Sequence, residues 1–433
     1  MEKFFQLKQE NTSVKTEIIA GITTFMTMAY ILAVNPSMLS LTGMDIGGVF
    51  TATALSAIIA TLVMGLYAKY PFALASGMGL NAFFTFTIVL GPMGRTWQFA
   101  LTAVLIEGLI FLLLSLFRAR EAIFEAIPIN IKHAVSAGIG LFIAFIGLTG
   151  AGIVEAGNGT IVALGSITSG PALLAIIGII ITGFLLSRKI NGAILIGIVL
   201  TTLIGIPMGV TMIPEGFTIM SLPPSVKDVA FQFVGVEEIL SFDMLIIVFT
   251  FLFVDIFDTV GTLAGVSARA GMMDPEGNLP RVGKALKADA IGTIAGACLG
   301  TSTVTTYVES ASGIAEGGRT GLTAVTTAVM FGIALFFSPL FIMIPAAATA
   351  PALVIVGLFM MESVLKIDFS DFTEAIPAFL TIVMMPFAYS IAEGIVFGMV
   401  SYVVLKVFAG KFKDVSPVMF VLAGLFILKF IFM

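Results

Sequence analysis

Apolar runs of roughly 17 to 22 residues recur from Glu17 to the C-terminus, each long enough for a helix to cross about 30 Å of hydrocarbon. Membrane-spanning strands would be about half that length and would alternate in polarity, so the runs read as helices. The chain of 433 residues is 58% hydrophobic and 11% charged, with a mean hydropathy of +1.12, far from the usual balance of a soluble domain. It reads as an all-α polytopic membrane protein. The polar start from Met1 to Lys15 is followed by a run long enough to span, which is not the pattern of a cleavable leader.

Spans are expected near 17–39, 47–68, 73–90, 97–117, 130–149, 171–187 and 191–209, and then near 243–267, 285–300, 304–316, 320–342, 346–362, 374–389 and 391–408. Lysine and arginine should gather in alternate connections on the cytoplasmic side. The N-terminus holds Lys3, Lys8 and Lys15, and the even connections hold Lys69, Arg118, Arg120, Lys132, Arg188, Lys189, Arg269, Arg281, Lys284, Lys287, Arg319 and Lys366. Lys406, Lys411 and Lys413 follow the last expected span, while the odd connections hold only Arg95 and Lys227. Both ends of the fourteen-span unit are therefore expected in the cytoplasm. The apolar stretch 416–433 fits either an interfacial helix or a pairing of 374–408 as half-helices.

The order also repeats. Ile127-Pro128 precedes Gly140-Leu141-Phe142 by the same spacing with which Ile344-Pro345 precedes Gly357-Leu358-Phe359, and INGAILIGIV at 190 is weakly echoed by IAEGIVFGMV at 391. Two copies of seven spans must run in opposite directions, the inverted-repeat plan of many secondary transporters. In both copies the third span is interrupted: PFALASGMGLNAFFTF carries Pro71, Ser76, Gly77 and Gly79 before Asn81, and GTSTVTTYVESASGIAEGG carries Glu309. Short, interrupted segments at matching places mark a substrate site near the bilayer midplane.

Asp255 and Asp258 stand three apart on one face of an apolar helix, and with Glu309 they make three carboxylates at apparent bilayer depth. Such groups are costly and mark function by default. Facing carboxylates accept hydrogen bonds, and the first turns of two half-helices supply free N–H donors, which suits a planar, uncharged heterocycle with N–H and C=O edges. Each residue also has a plainer reading. Asp255 can brace the tenth span, Asp258 can bond the Thr/Ser-rich 301–306 region, and Asn81 can satisfy backbone. Glu107 has no partner visible in sequence and reads as structural. Tyr30, Phe83 and Phe84 fit either ring stacking or ordinary packing. His133 lies beside Lys132 at a cytoplasmic edge and suits no relay, and the lone Cys298 reads as a small core residue.

No GxxxxGK[ST] loop is present, nor a His/Cys cluster for a metal, nor a basic stripe for nucleic acid. An anion exchanger of the same architecture is an alternative, though it needs a cationic or helix-dipole site without facing acids. An intramembrane aspartyl hydrolase is more remote, because Asp255 and Asp258 share one helix and no GxGD sequence occurs.

The segments GITTFMTMAYILAVNP at 21–36, ASGMGLNAFF at 75–84, FVDIFDTVGTLAG at 253–265 and TSTVTTYVESASGIAEGGRTGLTA at 301–324 resemble the AzgA-like adenine, guanine and hypoxanthine permeases, within the nucleobase–cation symporter superfamily that includes uracil and xanthine permeases. The resemblance covers essentially the whole chain. It implies a uracil-permease-like fold of seven plus seven spans in inverted repeat, with short strands before the broken third and tenth spans. Core parts at 1–120 and 241–342, gate parts at 121–240 and 343–415, and an apolar C-terminal helix at 416–433 follow from it. It further implies that Asp255 and Glu309 hold a purine across the eighth and tenth spans, with Asn81, Ser310 and Gly79 beside them. Asp258 would support the site or the coupling, and no metal or cofactor takes part. A proton is the implied coupling ion, with sodium left open. The expected protein is a homodimer in the cytoplasmic membrane.

Overall fold

The computed structural model describes residues 2–91, 93–117, 128–157, 159–168, 170–273 and 279–432; Arg118, Arg120, Ile127 and the expected domain boundary at 120/121 lie outside them. In chain order the helices used below are α1 (Val14–Met28), α2 (Ile31–Leu39), α3 (Ile46–Val63), α4 (Met78–Ala82), α5 (Trp97–Phe117), α6 (Ile129–Gly150), α7 (Gly170–Ser187) and α8 (Ala193–Gly205). They continue with α9 (Phe242–Ala270), α10 (Val282–Leu299), α11 (Ser310–Ala315), α12 (Gly321–Ala334), α13 (Ala346–Met361), α14 (Phe372–Phe387), α15 (Ile391–Phe408) and α16 (Pro417–Phe432). Among the described residues eight helices are long and apolar enough to cross a membrane.

Local chemistry sets the helix starts. Asp45 caps α3 by accepting from the Gly48 N–H at 2.6 Å, and Ser13, Thr320, Asp371 and Ser390 cap α1, α12, α14 and α15 in the same manner. The start of α12 receives a second, distant cap. The carboxylate of Glu17, fully buried, accepts from the N–H groups of Arg319, Thr320 and Thr323 at 2.9, 3.2 and 3.2 Å and from the Thr323 hydroxyl at 2.6 Å. An anion at a helix N-terminus is favoured, and here it ties the first helix to the twelfth.

Strands β1 (Leu74–Ser76) and β4 (Val304–Thr306) pair antiparallel at the centre, with Leu74 opposite Thr306 and Ser76 opposite Val304, while β2 (Val154–Glu155) and β3 (Ala163–Leu164) form a separate antiparallel pair after α6. Strands β1 and β4 each lead within a few residues into a short helix, α4 or α11. The outer edges of the β1–β4 sheet are satisfied without a third strand. The Thr61 hydroxyl bonds both the N–H and the C=O of Leu74 at 3.0 and 3.1 Å, and the Thr293 hydroxyl bonds those of Val304 at 3.2 and 3.0 Å. After α4 the chain winds on to Val89 in wider, π-type turns.

The repeated Gly-Leu-Phe pattern acquires a physical meaning in the packing of α6 on α13. A side chain placed on Gly140 would stand 2.6 Å from the carbonyl oxygen of Gly357, and one on Gly357 would stand 2.4 Å from that of Gly140. Small residues let two membrane helices approach this closely. Pro128 and Pro345 start the same two helices, so the elements matched in sequence are also matched in space. The stretch after residue 416 forms α16, which packs on α15 and sets Phe426 edge-on to Phe249 of α9 at 5.8 Å.

Candidate substrate site

The short helices α4 and α11 both pack against α9, so the two strand-helix units and the Asp-bearing helix converge. Glu309 immediately precedes α11 and is half-buried. The first helix pair supplies its support. At the turn between α1 and α2, the Tyr30 hydroxyl donates to Glu309 Oε1 at 2.7 Å, and the Thr27 hydroxyl lies 3.5 Å from the Glu309 carbonyl. The Tyr30 and Tyr307 rings lie 6.5 Å apart, and the Tyr307 hydroxyl donates to the Ser76 carbonyl at 2.5 Å. Tyr307 thereby locks the end of β1 to the segment that carries Glu309.

Asp258 is also half-buried, and it lies near enough to Asp255 and Glu309 for their charges to act on it. A side chain at Gly77 would come within 3.5 Å of its Oδ2. One turn further on, Asn81 is fully buried, and neither its amide nitrogen nor its amide oxygen has a hydrogen-bond partner. A buried polar group left so costs roughly 1–3 kcal/mol, a cost that a ligand offering both a donor and an acceptor removes.

Asp255, expected to face Glu309, is fully buried, and its carboxyl joins a group made with α5 and α10. The Thr259 hydroxyl stands 3.0 Å from Asp255 Oδ1, 3.1 Å from Asp289 Oδ2 and 2.9 Å from the Thr305 hydroxyl. The Glu107 carboxyl lies close to that of Asp255 and accepts from the Thr303 hydroxyl at 3.2 Å. A hydroxyl has one hydrogen to give. Thr259 therefore cannot donate to both aspartates at once.

The remaining expected residues fall as follows. The Ser310 hydroxyl accepts from the Ala73 N–H at 3.0 Å, so it holds β1 in place. Gly79 is where α4 meets α6: a side chain there would stand 2.7 Å from Ile139 Cγ2. Phe83 packs edge-on against Phe251 at 4.9 Å, which is the packing reading. Glu107 does have partners, and Asp289 and Thr259 were not singled out by the sequence. An acid among alanines in KADAIGTIAG was the available signal for Asp289.

Long apolar helices around two facing strand-helix units, with acids beside an unsatisfied amide, define an integral multi-pass membrane protein built as a carrier. Residues 15–397 match the family described as Permease family, Xan_ur_permease, and the chain belongs to that family of permeases, which are transporters and not enzymes. It is 48% identical over 442 residues to the guanine/hypoxanthine permease PbuG of Bacillus subtilis, covering 100% of both chains. It is 44% identical over 432 residues to the adenine permease AdeP of Escherichia coli, covering 100% of this chain and 96% of that one. Its fold is that of the transmembrane domain of the cyanobacterial bicarbonate transporter BicA, with a TM-score of 0.65 at 17% identity over 88% of this chain and 97% of that domain.

Proposed function

We propose that this permease imports purine nucleobases, guanine, hypoxanthine or adenine, across the cytoplasmic membrane in symport with a proton. In this reading fourteen crossings form two inverted sets of seven, with the third and tenth crossings discontinuous at β1–α4 and β4–α11. The N-terminus is cytoplasmic and the protein a homodimer. Alternating access comes from rocking of the gate parts, 121–240 and 343–415, against the core parts, 1–120 and 241–342.

What supports this reading is that each of the two short helices carries one polar group: Glu309, half-buried and held by Tyr30, before α11, and in α4 the amide of Asn81, which has no hydrogen-bond partner among the described residues. Glu309 accepts from a ring N–H, and Asn81 meets a mixed donor and acceptor edge. Asp258 takes the place nearest Glu309. Asp255 supports the site from behind through Thr259, and Ser310 and Gly79 shape it without touching the ligand. A proton on the Asp255–Asp289–Glu107 group or on Asp258 lets the loaded carrier reorient without net buried charge. Sodium coupling is the competing outcome of the uptake experiment.

Thermal unfolding of the purified protein with guanine, hypoxanthine, adenine, uracil, sulfate or no addition tests the substrate class. Stabilisation by the purines alone is expected, and stabilisation by sulfate alone would replace this reading with anion transport. The fold shared with BicA is common to both readings, and the acids of the site oppose anion transport. Uptake driven by an imposed pH gradient, compared with a sodium gradient, tests the coupling ion.

A further inference from the structure

Among the described residues, the Glu309 carboxyl accepts from the Tyr30 hydroxyl on Oε1 at 2.7 Å. Tyr30 is almost wholly buried at the bend between α1 and α2, so the bond is fixed by two packed elements and does not swing with solvent. The Thr27 hydroxyl, one turn earlier, lies 3.5 Å from the Glu309 carbonyl and donates at shorter range to its own helix, 2.9 Å from the Thr24 carbonyl. A donor reaching Oε1 then competes with the phenol for that oxygen while Oε2 carries no such competitor, whereas a carboxylate without the phenol meets two adjacent N–H donors with both oxygens on equal terms.

This difference bears on which purine is preferred. Guanine offers two adjacent donors on one edge, the ring N1–H and the exocyclic 2-amino group. Hypoxanthine offers N1–H alone at that edge. We propose that Tyr30 is a specificity-determining residue: its hydroxyl competes for Oε1 of Glu309 and leaves Oε2 the stronger acceptor, so that the second donor of guanine gains little and the permease takes hypoxanthine nearly as well. The proposal rests on the purine reading above and adds to it a reason for breadth. Tyr30 acts through Glu309 and is a positioning residue.

The experiment is competitive inhibition and direct uptake with guanine and hypoxanthine in the wild type and in Tyr30→Phe, which keeps the ring against Tyr307 and removes only the hydroxyl. In the wild type the two affinities should lie within about fivefold of each other. In Tyr30→Phe the ratio should move toward guanine by about tenfold, the worth of one hydrogen bond to a charged group. The change should appear in KM, with Vmax for guanine altered less than twofold. A ratio in Tyr30→Phe within twofold of the wild type overturns the proposal, because a merely structural loss would weaken both ligands together. If Tyr30→Phe fails to fold, the wild type still decides: a preference for guanine above about a hundredfold overturns it, and near-equality upholds it. A wild type that binds neither purine overturns the proposal and the purine reading together, whereas purine binding with an unmoved ratio overturns the proposal alone.

Discussion

Gly140 and Gly357 stand back to back, each α-carbon against the other's carbonyl oxygen, at the contact of two helices that each start behind a proline, Pro128 and Pro345. Gly357→Ala should therefore push α6 and α13 apart. A loss of about 1–3 kcal/mol is expected, as for overpacking in general, seen as a lower Tm in detergent. Gly183→Ala is the control: nothing lies within 4 Å of that position in α7, and alanine is the better helix former, so its Tm should hold or rise.

Glu309→Gln exchanges a carboxylate for an amide of the same shape and can still accept from Tyr30. The protein should remain folded with a near-native Tm, while stabilisation by purines disappears. Unchanged purine affinity, measured by calorimetry, would remove Glu309 from the site.

The Thr259 hydroxyl links Asp255, Asp289 and Thr305 inside a group with no exposure at Thr259, Asp255 or Asp289. Thr259→Val deletes the bridge at constant volume and should cost about 1–3 kcal/mol, because buried acceptors lose their donor. Asp289→Asn puts an amide, a permanent donor, in place of the carboxyl. Its uptake should respond less steeply to external pH than that of the wild type, and an unaltered pH profile would exclude the group from coupling.

At the start of α14, Asp371 accepts from Lys411 Nζ at 2.7 Å and from the N–H and hydroxyl of Thr373 at 2.9 and 2.8 Å. Lys411 first, and then Thr373, hold its carboxyl below the usual carboxylate range. A lowered folded-state value means that the stabilisation is complete above the unfolded value, about 3.9, and is lost as pH falls through the folded one. The Tm gap between wild type and Asp371→Asn should thus be constant from about pH 8 to pH 5 and close below about pH 4. Molar salt should narrow it at every pH, since the pair is partly exposed.

Much of this arrangement can be read along the chain. Run length marks the helices, because hydrocarbon thickness dictates it, and the interruptions around Asn81 and Glu309 mark the two strand-helix units. The separate fates of Asp255 and Asp258 cannot be read. Three residues along a helix turn the side-chain direction by about 60°, enough to send one acid toward α5 and α10 and leave the other beside Glu309. Only the rotation of α9 against its neighbours decides which goes where, and no local pattern encodes it. The meeting of Glu107, Asp255 and Asp289 is hidden for the same reason, since each looks like an isolated acid in its own run. Tyr30 among so many aromatic residues carries no mark of its hydroxyl's partner.

The β1–β4 pair joins the starts of α4 and α11 through main-chain bonds, with threonine hydroxyls closing both edges. The spacing of the two helix starts thus owes nothing to the side chains at 81 and 309. Mutation can rewrite what is carried without retuning the machinery that carries it, so a lineage built on this frame is free to diversify its cargo one side chain at a time.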